Sequence, residues 1–284
     1  MADGVVQIDT LLGGWERVTA GYLIEGPEPV LVETGSQSSA GPLLAALAEF
    51  GVEDLAAVVV THIHLDHAGG VGDVARAFPG AQVYVHELGA RHLADPSRLV
   101  DSAGRVYGDL LDSLYGRLDP TPAERIHALG DGERIGRLTA VHSPGHAKHH
   151  LALHDAVSGL LFVGDAVGVR LPDVGVLRPA TPPPDFDLEL ALSSLHRFAG
   201  RSPAALALAH FGVLPGPPAD ALAEAEESLR EWASVAEAAW SSGADIDAAL
   251  AARFGAEHEQ VEILNGIHSN AAGLRRWLDQ RPPQ

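Results

Sequence analysis

Five apolar residues, Ala56 to Val60, run directly into Thr61-His62-Ile63-His64-Leu65-Asp66-His67, and this junction constrains the fold more than any other stretch of the chain. A short, β-branched run that is apolar throughout is expected of a strand buried on both faces, which requires a sheet covered by helices. On an extended strand end, His62 and His64 point the same way. A turn through Leu65 into a helix brings Asp66 and His67 round to a second position, so that one segment can serve two adjacent metal ions.

Three further candidate ligands follow strand-like segments: His146 in Ser143-Pro144-Gly145-His146, Asp165 in Val163-Gly164-Asp165, and His210 in Leu208-Ala209-His210-Phe211-Gly212. Strand ends of an α/β sheet converge on one edge, where ligands usually bind. The strand-like runs are Tyr22 to Ile24, Pro29 to Val32, Ala81 to Val85, Leu138 to Val141, Leu151 to Leu153, Leu160 to Val163 and Ala205 to Leu208. A helix from Pro42 to Gly51 and helical patterns between later strands predict a mixed sheet covered by helices. Ser97 to Leu118 reads as a helical excursion, and the proline-rich stretch Leu171 to Phe186 as a stiff loop shaping the mouth of the site without holding its metals. After Pro218 the composition shifts to alanine and glutamate. Leu222, Ala225, Leu229, Trp232, Ala236 and Trp240 form one helical stripe, read as core or dimer contact. Shorter helices are expected over Asp245 to Phe254 and Val261 to Leu278. Residues 1–216 are accordingly the expected catalytic unit, and 217–284 a helical extension packing on the core or shaping the substrate pocket.

In this order the motif residues resemble the metallo-β-lactamase superfamily, whose signature His-x-His-x-Asp-His is followed by a later His, Asp and His. The match spans roughly Tyr22 to Gly212. The resemblance implies an α/β fold, an αβ/βα sandwich of two mixed β-sheets covered by helices. It also implies a site in which His62, His64 and His146 hold one metal, Asp66, His67 and His210 hold a second, and Asp165 bridges them. Asp66 and His210 carry a catalytic expectation as well. Without cysteine, every ligand is nitrogen or oxygen, a set that favours two divalent ions, zinc first, with iron or manganese as alternatives. A water shared between two cations loses a proton near neutral pH, giving a nucleophile without serine or cysteine.

The resemblance also narrows the reaction. Antibiotic-hydrolysing members generally lack the bridging aspartate and carry an export signal. The N-terminus here has neither a basic region nor a continuous apolar one, so a cytoplasmic protein is expected. Retained Asp165 points to the glyoxalase II, lactonase, thioesterase and phosphodiesterase branches. With 19 basic against 38 acidic residues the formal charge is −19, which repels phosphate backbones and anionic membranes and leaves a small-molecule acyl substrate, a thioester, lactone or ester, as the best fit. The alternatives are a persulfide dioxygenase using one iron, and a phosphodiesterase. A homodimer is compatible with the C-terminal stripe. Outside the cluster, His142 and His150 are expected to be solvent-facing or backbone-bonded, and His86, His149 and His268 lack a clear role. His92, His127, His154, His196 and His258 are expected at the surface. Arg170 and Arg178 are either a clamp for a substrate carboxylate or plain salt bridges, and Arg275-Arg276 either bind a substrate or cap a helix end.

Overall fold

The computed structural model describes residues 4–172, 174–255 and 259–281; His258 lies outside them. The chain forms two six-stranded sheets. The first contains, in spatial order, β1 (Val5–Asp9), β2 (Ala20–Ile24), β3 (Val30–Val32), β4 (Ala57–Val59), β5 (Gln82–His86) and β6 (Ile126–Leu129). Its first three strands are antiparallel neighbours, while β3, β4, β5 and β6 run parallel. The second runs β12-β11-β10-β9-β8-β7, from β7 (Arg134–Ile135), β8 (Leu138–His142), β9 (Leu151–Asp155), β10 (Leu160–Gly164), β11 (Ala205–Leu208) and β12 (Gly212–Val213). It is antiparallel except where β10 pairs with β11.

Strand alternation sorts the side chains into layers. Ala57 and Val59 of β4 and Leu160 and Phe162 of β10 face the gap between the sheets, where they join Tyr22, Val32, Leu151 and Leu153. The intervening Val58 and Val60 pack outward under α1 (Ala40–Glu49), α2 (Leu65–Ala68), α3 (Val71–Ala77), α4 (Glu87–Ala94) and α5 (Ser97–Tyr107). On the far side, Leu161, Val163, Leu206 and Leu208 meet α6 (Leu188–Gly200), α7 (Pro218–Ser242), α8 (Ile246–Phe254) and α10 (Ile267–Asp279). Between α8 and α10 lies α9 (Glu259–Asn265), whose Val261 packs into the core of the first sheet instead. The result is the expected αβ/βα sandwich.

Every strand expected from an apolar run is present. The elements that sequence reading missed are β1 and the sheet-edge strands β6, β7 and β12. Of these, β7 and β12 are two residues long, and β6 alternates only weakly. The excursion over Ser97 to Leu118 divides into α5 and a single π turn, Leu111–Tyr115. The stripe on α7 is core through Ala236, but Trp240 is 46% exposed and donates its Nε1–H to Asp279. No helix among the described residues is long and apolar enough to cross a membrane.

Phe162 is 1% exposed at the centre of the inter-sheet layer, its ring 5.0 Å from that of Tyr22. Phe162→Ala is expected to destabilise the protein by about 3–5 kcal/mol in urea unfolding; a loss below about 1 kcal/mol would mean that the two sheets close over the vacated space.

Candidate metal centre

The site is assembled at the strand ends. Beyond β4 the chain bends at Thr61 and His62, and His64, in extended conformation, is the residue preceding α2. Ile63 and Leu65 pack into the apolar core, while His62 and His64 bring their ring nitrogens together with those of His146. The first turn of α2 then presents Asp66 and His67. His146 comes from the β8–β9 connection, Asp165 from the end of β10 and His210 from the end of β11.

All seven predicted residues converge. The ligand atoms of His62, His64 and His146 lie within 4.8 Å of one another, as do those of Asp66, His67 and His210, and those of His62, His67 and Asp165. His64 Nδ1 is 3.0 Å from His62 Nε2 and 3.0 Å from His146 Nε2, and His67 and His210 bring their Nε2 atoms to 3.2 Å. Asp165 stands between the groups. Its Oδ1 lies 3.3 Å from His67 Nε2 and 3.4 Å from His210 Nε2, while its Oδ2 lies 3.6 Å from His146 Nε2.

The outward-facing nitrogens fix the rings. His146 Nδ1 donates to the Ala180 carbonyl at 3.0 Å, His210 Nδ1 to the Val18 carbonyl at 3.0 Å, and His67 Nδ1 to Glu33 Oε2. These partners only accept, so each Nδ1 must carry a proton and each Nε2 is turned inward, as ligand imidazoles require. Glu33 was not foreseen from the sequence. Buried and held at φ 63°, it also accepts the Thr61 N–H through Oε1 at 2.6 Å, tying the start of the motif to its end. His150, expected to be solvent-facing or backbone-bonded, is fully buried and backbone-bonded. It bonds Ser143 Oγ at 2.8 Å through Nδ1 and accepts the Asp165 N–H at 3.2 Å through Nε2. Gly164 makes room for that ring: its φ is +48°, and a Cβ there would lie 2.6 Å from His150 Nε2 and from Thr61 Oγ1.

The electrostatics call for a cation. Burial alone would drive His67 neutral, yet Asp165, Asp66 and Glu33 around it hold its pKa well above the ordinary value. Burial pushes Asp66 up, but His67 and His210 bring it down to about 2; Asp165 is likewise held far below the usual range against its burial by His67, His210 and His146. On the other side, burial and the neighbouring His146 lower His64 to about 4. Two ionised acids among five imidazoles, with the buried Asp165 Oδ1 lacking a hydrogen-bond partner among the described residues, form a donor set that divalent cations fit.

The alternatives left open for the arginines fall to contacts within the protein. Arg178 is 7% exposed and bonds Glu262 Oε1 at 2.7 Å, so it is not available to clamp a substrate. Arg170 pairs with Glu224 at 3.4 Å, Arg275 with Asp247 at 3.4 Å, and Arg276 donates to the Pro184 carbonyl at 3.0 Å. The Leu171 to Phe186 stretch does more than line a mouth, since it supplies the Ala180 carbonyl that orients His146. His86 and His142 stack with ring centroids 4.8 Å apart, beside the site and not in it, and His268 pairs with Asp247.

Residues 13–210 match the family described as the metallo-beta-lactamase superfamily, and with that share of its length the chain belongs to this superfamily, as a metallo-hydrolase of its fold. It is 29% identical over 194 residues to the metallo-beta-lactamase fold-containing protein ST1585 of Sulfurisphaera tokodaii, covering 65% of this chain and 69% of that one. The ST1585 crystal structure superposes with a TM-score of 0.71 at 24% identity, covering 96% of this chain and 98% of that one. A hydroxyacylglutathione hydrolase of Synechococcus sp. is 30% identical over 146 residues, 51% of this chain and 48% of that protein, so the chain spans about half the length of this relative. TTHA1623, solved in a di-iron-bound form, matches at 25% identity with a TM-score of 0.54, over 69% of this chain and 89% of that one.

Removing the charge at Glu33 while keeping its shape, Glu33→Gln, is expected to weaken metal binding about 10–100-fold in chelator competition; unchanged affinity would show that Glu33 only braces the backbone. His149 sits beside the His62 ring at 6.2 Å, with its Nδ1 buried and unpartnered among the described residues, and burial first, then His64, lower its pKa to about 3. The unfolded chain takes up this proton near pH 6.5 and the folded chain does not. The contribution of His149 to stability is therefore fully present above pH 6.5 and lost as pH falls toward about 3. His149→Gln should flatten the fall in urea-unfolding stability across that window, and a fall as steep as that of the parent protein would assign it to other groups.

Proposed function

We propose that the chain is a dinuclear metal-dependent hydrolase of a small-molecule acyl substrate, a thioester, lactone or ester. The observation that carries this reading is the placement of Asp165, with one carboxylate oxygen toward His67 and His210 and the other toward His146. In this reading His62, His64 and His146 hold one divalent ion, Asp66, His67 and His210 the other, and Asp165 serves both. Zinc suits the nitrogen and oxygen donors, and the di-iron form of TTHA1623 keeps iron as the alternative. When bound, the ions supply a nucleophile by acidifying a shared water and polarise the scissile carbonyl.

The protein groups contribute orientation and proton handling. Asp66 is ionised at neutral pH, and its Oδ2 lies 3.4 Å from His210 Nε2. As an ionised carboxylate beside the second ion it would accept a proton from the attacking water, while His210, with its proton on Nδ1, would give its Nε2 lone pair to the same ion. Ala166, Val167, Pro179, Phe186 and Leu229 line a narrow cavity beside His146 and Asp165. The acyl assignment draws on the hydroxyacylglutathione hydrolase relatives, and the formal −19 charge disfavours nucleic acid.

Metal analysis of the purified protein, paired with thioester, lactone and phosphodiester turnover, tests this. About two metal ions per chain are expected, with acyl hydrolysis lost on chelation and restored by metal. Asp165→Ala should lose both metal and activity, and far more of each than His149→Ala. One iron per chain with oxygen uptake on a persulfide would replace the hydrolase with a dioxygenase, and turnover of the phosphodiester alone would replace the substrate class.

A further inference from the structure

The C-terminal helices reach the metal centre through a buried polar strut. The strap Arg178-Pro179-Ala180-Thr181 passes behind His146, and the carbonyl of Ala180 accepts the His146 Nδ1–H at 3.0 Å. Both neighbours of Ala180 are held by residues more than eighty positions later. The Thr181 N–H donates to Asn270 Oδ1 at 2.6 Å, and the Thr181 hydroxyl donates to the same oxygen at 2.8 Å. Asn265 Nδ2 donates to the Pro179 carbonyl at 3.0 Å. Asn270 Nδ2 closes the network on Asn265 Oδ1 at 2.7 Å, and also reaches the carbonyls of Asn265 and Gly266, each at 3.1 Å. Arg178 adds Glu262 Oε1 at 2.7 Å and the carbonyls of Asn265 and Phe254 at 3.2 and 3.3 Å.

The network is saturated and dry. Asn270 and Thr181 are 0% exposed, Asn265 6% and Arg178 7%. Because the Thr181 N–H can only donate and the Pro179 carbonyl can only accept, the orientation of both amides is fixed by their partners. The approach is as close as backbone allows. A Cβ at Gly273 of α10 would lie 1.8 Å from the Thr181 carbonyl oxygen, so only glycine lets the helix dock on the strap.

We infer that Asn270 is a positioning residue for the metal centre: through Thr181 and Asn265 it sets the Ala180 carbonyl, which holds the His146 ring with Nε2 toward His64 and Asp165. This rests on the dinuclear reading above for its consequence, and on hydrogen bonds alone for its geometry. A buried carbonyl that shifts by an ångström releases the ring from its acceptor, and an imidazole free to rotate is a weaker ligand. The coupling is reciprocal, so an occupied His62-His64-His146 set also strengthens docking of α10.

The test compares the full-length protein with Asn270→Ala, the milder Thr181→Val, which keeps the Thr181 N–H bond, and Leu250→Ala, which opens the same helical core without touching the strap. Zinc affinity is measured by chelator competition below the unfolding transition of every variant, and solvent exchange of the His146 Nδ1–H proton is followed by NMR in the metal-free state. Asn270→Ala is expected to weaken one of two zinc sites about tenfold or more and to speed that exchange, Thr181→Val to do the same to a smaller degree, and Leu250→Ala to change neither. If Asn270→Ala does not fold, Thr181→Val carries the comparison. Unchanged exchange and affinity in the folded strut variants, or an equal effect in Leu250→Ala, would overturn the inference. A parent protein that binds fewer than two zinc ions would overturn the dinuclear reading, while the exchange rates would still decide the strut.

Discussion

Everything in this structure is arranged around a largely buried cluster of five imidazoles and two carboxylates at the seam between two sheets. Such a cluster is unfavourable by itself. Burial lowers His62, His64 and His146, while the acids hold His67 protonated in the absence of an ion. Divalent cations resolve both halves at once, because a cation takes the lone pairs of the neutral rings and offsets the negative charge of the acids.

Holding such a cluster open requires outside support for nearly every ring, and that support comes from both halves of the sandwich. Glu33, after β3, orients His67, and the Val18 carbonyl before β2 orients His210. From the other half, His150 holds the backbone of Asp165 and Ala180 holds His146. The inter-sheet core therefore fixes the two groups of side chains relative to each other, with Tyr22 of one sheet bonded to the Leu208 carbonyl of the other, two residues before His210. The C-terminal helices share this role. They complete the outer core of the second sheet and brace the strap behind His146.

The ligands were legible because their chemistry is local. Five apolar residues followed by His-x-His-x-Asp-His specify a buried strand, an extended exit and a helical turn, and each later ligand follows a strand-like run. The β-rich core was legible for the same reason, since a buried strand declares itself by an unbroken apolar run. Edge strands such as β6 and β7 did not, because one solvated side relaxes the demand for apolar residues.

Short-range pattern in the sequence determined a mixed sheet covered by helices and the seven candidate ligands, and the resemblance carried by that pattern supplied the superfamily and its sandwich. Only the tertiary structure decided which groups aim the ligands. Glu33 lies 34 residues from His67, Ala180 lies 34 from His146, and Asn270 lies 89 from Thr181. Such partners leave no periodic trace, because a buried hydrogen bond constrains two positions in space and not the residues between them. That is why a glutamate, an alanine carbonyl and an asparagine, unremarkable as letters, became visible only once the chain was folded.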